Sequence, residues 1–394
     1  MRKKIYMLSS ADYTTSSRYT RIAKILSSKN NQVIMYCCDR EKKFGNKKSL
    51  ENVEIIFSHS FLAHRKLNFI LLPIFLLHLY FKTILHFIRK VSKVDIIYSY
   101  TFDMLFLGII LKKIYRAKLI YDSAEYYPGI VANHAPYFLY QIVRSLYLTV
   151  SKKADYILTT NEWTESMFKL GNIKRTKVIP NVPNTDLFHF NDEKRGEIRN
   201  HLNIDKDTVI FSFIGYIGTY RGLENIVKAI DKLSKEKSDF KFLLIGRGPL
   251  KGEIVQMMRN KELLKFLIIK DFIPLEKVPY YLSASDVVLS LYDPVELNNW
   301  YAVPNKLFEA AACSRAVIAG NFGYLKNLVL DMRCGLLTDS TNPKDIADKM
   351  KQLINNPELR EKLGKNGLKI IKKKYNLANI SENLEQMLEE IDKL

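Results

Sequence analysis

Phe213-Ile214-Gly215-Tyr216-Ile217-Gly218-Thr219-Tyr220-Arg221-Gly222-Leu223 runs from an apolar strand end, through a glycine-bearing turn, into a helical pattern. Glycine lets a backbone approach a phosphate closely, and an arginine such as Arg221 can fork two N–H bonds onto it. A dinucleotide-binding oxidoreductase would carry Gly-x-Gly-x-x-Gly near its chain start. Here the glycines are separated by two and three residues in mid-chain, which makes that reading weak. Two further loops follow apolar strands: Leu244-Ile245-Gly246-Arg247-Gly248-Pro249-Leu250, and Lys270-Asp271-Phe272-Ile273-Pro274. Three glycine or proline loops from one sheet edge converge best on a nucleotide.

A fourth stretch, Val303-Pro304-Asn305-Lys306-Leu307-Phe308-Glu309, joins a helix start, a cation and a carboxylate. Proline suits the first helical position, so Pro304 marks a helix N-terminus whose free amides face an anion. Lys306 adds a full charge there. Glu309, three residues on, projects from nearly the same face and can accept two hydroxyl hydrogen bonds, as from a ribose. Alone, this is an ordinary surface pair worth a few tenths of a kcal/mol. Its setting between the apolar runs Asp286-Val287-Val288-Leu289-Ser290 and Ala316-Val317-Ile318-Ala319 places it where open α/β sheets bind ligands.

Short runs rich in Ile, Val and Tyr alternate with helical patterns throughout, the signature of parallel sheets with helical crossovers. Strands are expected at Ile5, Gln32, Val53, Ile96, Lys118, Tyr156 and Lys177, then at Val209, Phe240, Leu267, Val287 and Ala316. Two such series imply an α/β chain of two doubly wound domains, with a linker in Pro180-Asn181-Val182-Pro183-Asn184-Thr185-Asp186. The segments from Pro343, Pro357 and Leu377 read as helices, with Asn376 at a break. The expected division is 1–188, 189–375 and 376–394.

The net charge of +20 is uneven. Residues 1–190 hold 29 Lys+Arg against 13 Asp+Glu, a net of +16, and the remainder only +4. Such asymmetry implies a polyanionic partner. With no nucleic-acid motif in the chain, an anionic membrane surface is preferred to nucleic acid. The apolar segment 67–81, flanked by Arg65-Lys66, Lys82 and Arg89-Lys90, is too short for a span and contains Pro73 and His78. It fits an interfacial helix with a basic collar, or equally a core helix with a basic outer face. Cys37, Cys38, Cys313 and Cys334 show neither metal-ligand nor disulfide spacing, which favours a reducing compartment. No secretory signal is legible after Arg2-Lys3-Lys4, so cytoplasm is the default.

The order of these pieces resembles the retaining glycosyltransferases of the GT-B fold, specifically the group 1 (GT4) family, over Ile210 to about Asp339 and more loosely over the first half. The Pro-Asn-Lys-Leu-Phe-Glu segment is similar to a branch acting in bacterial surface polysaccharide synthesis (O-antigen, capsule or exopolysaccharide). The resemblance implies two Rossmann-like domains facing a central cleft, the first for the acceptor and the second for the nucleotide diphosphate-sugar, with the last helix crossing back to the first domain. It gives Arg221 and Lys306 the leaving diphosphate and Glu309 the ribose hydroxyls. Gly218 and Thr219 would line the phosphate approach, and Gly246, Arg247, Gly248 and the Phe272-Ile273 backbone would frame ribose and base. Asn305 and Leu307 belong to the same donor segment. Asp122 and Glu125, in Asp122-Ser123-Ala124-Glu125, match the segment facing the cleft, and Asn181 matches the hinge's Pro-Asn element. Ser10, at the end of the first strand, is grouped with them as an acceptor or cleft residue.

Two positions depart from the family pattern: Tyr301 stands where it has a glutamate, and Ala124 where it has a histidine. Asn298, Asn299 and Tyr301 are then the candidates for binding sugar hydroxyls, and His134 lies near Ala124 in sequence. Because cations of the protein can replace a metal, no Asp-x-Asp triplet is needed and no metal or cofactor is expected. The substrate expected is a UDP- or GDP-sugar, the acceptor lipid-linked or saccharide, and the location the inner face of the cytoplasmic membrane. Two alternatives remain open: a catalytically weak or inactive nucleotide-sugar-binding partner of another transferase, and a GT-B nucleotide-sugar epimerase. An epimerase would need cleft acid/base pairs, which are sparse in this sequence.

Overall fold

A computed structural model describes residues 2–13, 17–39, 45–58, 71–132, 135–237 and 239–394, with the side chains of 71–73 excepted. His134 and the start of the apolar segment, 65–70, lie outside the described residues. The chain divides into two compact units, Met1–Ile179 with Ser381–Leu394, and Pro180–Ile380. The division thus falls after Ile179, earlier than the expected 188. Val182 and Phe188 are buried, so the proline-bearing segment is packed and belongs to the second unit.

The first unit is built on β1 (Lys4–Ser9), β2 (Gln32–Cys38), β3 (Lys47–Leu50), β4 (Val53–Ser58), β5 (Ile96–Tyr100), β6 (Lys118–Ser123), β7 (Tyr156–Thr159) and β8 (Thr176–Val178). Their order in the sheet is β3-β4-β2-β1-β5-β6-β7-β8, parallel except for β3 against β4. Central strands such as β1 and β6 are buried along nearly their whole length, as expected for strands covered on both faces. The polar edge strand β3 was not expected from the sequence. Lys47, Lys48 and Ser49 are exposed, so the apolar alternation that marks a strand is missing there. The helix Leu71–Lys90 buries Phe75, Leu79, Thr83 and Phe87, one face at four-residue spacing, and exposes Ile74, Leu77, Phe81 and Ile88 on the other. Among the described residues, no helix is long and apolar enough to cross a membrane. The last helix, Leu377–Asp392, returns to the first unit, where Asp392 accepts from Lys3 Nζ at 2.6 Å and Glu390 from the Tyr156 hydroxyl at 2.8 Å.

Inside this unit a buried ion pair ties three segments together. Arg18 Nη2 donates to Asp122 Oδ1 at 2.8 Å, its Nε to both carboxylate oxygens, and its Nη1 to the Ile179 carbonyl. The Tyr98 hydroxyl donates to Asp122 Oδ2 at 2.5 Å. Burial alone would lower the Arg18 pKa, but the adjacent Asp122 charge and hydrogen bonds outweigh it and raise it.

The second unit carries β9 (Val209–Ile214), β10 (Phe240–Ile245), β11 (Leu267–Lys270), β12 (Val287–Ser290), β13 (Ala316–Gly320) and β14 (Gly335–Thr338). They form one parallel sheet in the order β11-β10-β9-β12-β13-β14, the doubly wound 3-2-1-4-5-6 pattern. The short β14 was also unexpected. Gly335, Leu336 and Leu337 are only half-buried, and the strand lies directly after Cys334 with little flanking punctuation. The amphipathic helix Leu223–Leu233 buries Leu223, Ile226, Val227, Ile230 and Leu233 against Phe211, Phe213, Phe240 and Phe242. Two helices begin with Asn-Pro pairs. Asn342 accepts from the Lys344 and Asp345 amides and Asn356 from Leu359, while Pro343 and Pro357 occupy first positions where no amide bond is lost.

Replacing Asp122 by Ala leaves the Arg18 guanidinium and the Tyr98 hydroxyl buried without their acceptor. The expected loss is about 3–5 kcal/mol of unfolding free energy. Urea unfolding followed by fluorescence checks this, and a loss below about 1 kcal/mol would remove Asp122 from its structural role.

Candidate functional site

Strand order reverses between β9 and β12, and in such sheets ligands bind beyond the carboxyl ends at that point. β9 pairs with β10 from Val209↔Phe240 through Ile214↔Ile245, but with β12 only at Phe211↔Val287 and Ser212↔Val288. The point where the second pairing stops is where such a topology places a ligand crevice. Its two rims are nevertheless tied, because the Tyr220 carbonyl accepts from the Asp293 amide at 3.1 Å and from Asn299 Nδ2 at 3.3 Å. Tyr220 (φ 61°) and Gly222 (φ 69°) are both left-handed, so Arg221 is held between two reversed residues. A Cβ on Gly222 would lie 2.6 Å from the Leu291 carbonyl oxygen, which makes glycine obligatory there.

Arg221 lies over Tyr292, its Cζ 4.9 Å from the ring centre. Lys306 Nζ is 5.6 Å from the same ring and 3.6 Å from the centre of Phe213. Two aromatic faces therefore stand beneath the two cations. Pro304 adopts extended backbone (φ −71°, ψ 128°) as the cap of the helix Asn305–Ala312, one position before the first helical residue expected for it. The correction leaves Lys306 in the first turn, with Glu309 one turn further on. Burial depresses Lys306 to about 7, with Arg221 lowering it further and Glu309 opposing. Burial raises Tyr292, Arg221 counteracts by charge and hydrogen bond, and Glu309 adds to the rise. Arg221, Lys306 and Glu309 thus act on one another electrostatically.

The glycine turns after β9 and β10 pack on each other. The Gly215 amide donates to the Ile245 carbonyl and the Ile217 amide to the Arg247 carbonyl, lacing the loops after β9 and β10 together. A Cβ at Gly246 would meet Gly215 O at 1.8 Å, and one at Gly248 would meet Ile217 O at 2.1 Å. These two glycines are therefore required by loop-on-loop packing. Gly218 is buried, yet a Cβ there would meet only the ring of exposed Tyr216. Gly215 (φ 143°) faces open space at its Cβ position. Arg247 lies 4.7 Å from the ring centre of Phe272, which is 62% exposed, while the Ile273 side chain packs on the core.

Of the remaining sequence candidates, Thr219 and Asn305 are exposed and Leu307 is wholly buried. Asn299 turns inward, its Nδ2 donating to Asp293 O at 2.8 Å as well as to Tyr220 O, so it positions loops. Asn298 and Tyr301 are half-buried on the same short helix, Leu297–Tyr301. Ser10, Asp122, Glu125 and Asn181 are not on the second sheet. Ser10 and Asn181 are half-buried, Glu125 is exposed, and the fully buried Asp122 carboxylate is engaged by Arg18 and Tyr98. Sequence reasoning missed Tyr292, Phe213 and Gly222. The available signal was positional: Tyr292 follows the carboxyl end of β12, and Gly222 directly precedes a helix after the arginine. Among the described residues, no group of three or more His, Cys, Asp and Glu is placed to hold a metal ion.

Unfolded lysine titrates near 10.4, well above the folded Lys306. Between about 7 and 10 the unfolded chain binds the extra proton, so this group makes stability rise with pH. The melting temperature of the free protein is expected to climb more steeply from pH 7 to 9 than that of Lys306→Met. Parallel curves for the two proteins would contradict the depressed lysine.

Residues 194–370 match the family described as glycosyl transferases group 1. The chain is 24% identical over 200 residues to alpha-D-kanosaminyltransferase of Streptomyces kanamyceticus, a match covering 50% of each chain, so it spans half that relative's length. Among solved structures it is similar to sucrose-phosphate synthase from Thermosynechococcus elongatus, with TM-score 0.83, 17% identity and full coverage of both chains. It is also similar to Anabaena HepE in complex with UDP-glucose, with TM-score 0.71, 16% identity and coverage of 99% and 100%. Residues 194–370 thus match the group 1 glycosyltransferase family, and the chain's two parallel-sheet, Rossmann-like domains have the GT-B fold.

Proposed function

We propose that the chain is a retaining glycosyltransferase moving a hexosyl or N-acetylhexosaminyl group from a UDP- or GDP-sugar to a lipid-linked or saccharide acceptor in cell-surface polysaccharide synthesis. The supporting observation is the gathering of Arg221, Lys306 and Glu309 at the crevice beyond β9 and β12. As the bond from the sugar's anomeric carbon to the diphosphate breaks, negative charge builds on the leaving group. Cations fixed beforehand over Tyr292 and Phe213 stabilise that charge without reorganising. In this reading they take the place of a metal, Glu309 accepts from the ribose hydroxyls, and Phe272 with Arg247 borders the base. HepE, with the same fold, is known with UDP-glucose, which makes a uridine donor the first to try.

A diphosphate beside Lys306 favours its charged form and returns its pKa upward. Binding of UDP above pH 7 is therefore expected to take up close to one proton. Calorimetry in buffers of different ionisation heat measures this, and unchanged proton uptake in Lys306→Met would sink the assignment. In a metal-free melting panel of UDP-, GDP-, TDP- and ADP-sugars, at least one is expected to stabilise the chain, since a ligand at 100 times its Kd adds about 2.7 kcal/mol. Arg221→Ala is expected to lower kcat on the order of 10²- to 10³-fold with little change in melting temperature. Turnover of the donor with no acceptor present would favour the epimerase reading instead.

The exposed stripe Ile74, Leu77, Phe81 and Ile88, with Lys82, Arg89 and Lys90 exposed beside it, supports docking on an anionic bilayer at the inner face of the cytoplasmic membrane. The helix Tyr137–Ser151 adds exposed Tyr137, Phe138, Ile142 and Leu146. Flotation with anionic vesicles is expected to carry the protein up, neutral vesicles much less, and Leu77→Glu/Phe81→Glu to abolish the difference. Equal flotation with both vesicle types would remove the membrane claim.

A further inference from the structure

At the end of the second sheet opposite the crevice, four guanidinium groups gather around one carboxylate. Asp286, just before β12, accepts from Arg195 Nη2 at 2.7 Å and from Arg199 Nη1 at 3.3 Å. It also accepts from the Ile210 amide at 2.8 Å. Arg315, just before β13, and Arg360 form no ion pair with any described residue. Arg315 donates only to backbone carbonyls, Cys313 O at 3.0 Å and Ser285 O at 3.2 Å, and stacks on Phe190 with Cζ 4.4 Å from the ring centre. Arg360 reaches the Leu353 and Ile354 carbonyls at the end of the helix Pro343–Asn355 through Nη1 alone. Both guanidinium groups line a cavity of about 320 Å³, whose wall also carries the Asp286 carboxylate, Ser314 and the Lys365–Glu361 pair.

Carbonyl dipoles orient a guanidinium but do not neutralise it. One carboxylate, Asp286, shared among four guanidinium groups leaves Arg315 and Arg360 only partly offset, and a half-buried cation in that position disfavours its own charged form. Burial and then Arg195 lower Arg315 to about 10, with Asp286 opposing; Arg360 is likewise lowered by burial first. A planar fork with free N–H groups is the side chain best suited to phosphate oxygens. The cavity is far larger than a water site, and its lining of Arg315, Arg360 and Lys365 against Asp286 and Glu361 carries a positive excess.

We infer that this cavity binds a phosphate-class dianion, either free phosphate or the phosphate of a phosphorylated metabolite, at a site separate from the crevice at the sheet's carboxyl end. The inference does not depend on the donor reading. The helix Asn305–Ala312 holds Lys306 in its first turn and ends two residues before Ser314, so one short element links the two sites.

The test is a thermal-shift titration of the full chain at constant ionic strength with inorganic phosphate, a sugar monophosphate in a separate arm, and chloride as control. Wild-type protein is expected to show a saturable, phosphate-specific rise in melting temperature that persists in Lys306→Ala. Ser314→Asp supplies a further carboxylate on the cavity wall, at a left-handed position (φ 56°) that aspartate tolerates. It should raise the melting temperature of the free protein and abolish the phosphate-dependent rise. Arg360→Gln should abolish the rise as well, and decides the matter if Ser314→Asp fails to fold. A stronger response to the sugar monophosphate assigns a phosphorylated metabolite, and a stronger response to phosphate the free ion. A rise lost in Lys306→Ala and kept in the cavity variants, or no phosphate-specific rise in wild type, overturns the inference.

Discussion

Two hydrogen bonds onto one carbonyl set the geometry on which the second domain's site depends. Once β9 and β12 stop pairing beyond Ser212 and Val288, nothing in the sheet ladder fixes the distance between the loops that follow them. The Tyr220 carbonyl does so, accepting from the Asp293 amide and the Asn299 side chain. That carbonyl points correctly only because Tyr220 takes a left-handed conformation, which costs a bulky residue free energy and persists where surroundings over-determine it. Gly222 pressed against Leu291 O and Asn299 buried between the loops supply that surrounding. Arg221 follows from this arrangement, and so does its place over Tyr292.

Most of both sheets was legible because parallel strands buried on two faces are near-continuous apolar runs, and the runs starting near Ile5, Val209 and Ala316 carry that signal without help from neighbours. The two strands that escaped, Lys47–Leu50 and Gly335–Thr338, lie at sheet edges and are exposed or half-buried, so their sequences were never required to be apolar. At the site, charges and turn formers were readable but partnership was not. Arg221 and Lys306 announce themselves as cations. Nothing in the order of residues says that Tyr292 and Phe213 lie under them, since those contacts join segments far apart in the chain.

The same limit hides what a motif residue packs against. Gly246 and Gly248 were expected to frame ribose and base, and their Cβ positions close on the carbonyls of Gly215 and Ile217. Asp122 lies at the end of β6, where a carboxylate facing a ligand was expected, and instead joins Arg18 and Tyr98 in the interior. A glycine or a carboxylate at a strand end has two uses with identical sequence signatures. Only the neighbour in space separates them.

Net charge is a similarly blunt guide. The second half of the chain is nearly balanced at +4, against +16 for the first, and from sequence the basic character belonged to the N-terminal half. Yet the under-neutralised buried cations lie in the second domain, Lys306 at one end of its sheet and Arg315 with Arg360 at the other. An exposed lysine keeps its water and interacts weakly with distant charge, whereas a desolvated cation only partly offset by a carboxylate raises the free energy of the empty protein, which falls again when an anion arrives. Binding sites for anions are therefore marked by local imbalance under burial, and a domain with almost no excess charge can hold more of it than a strongly basic one.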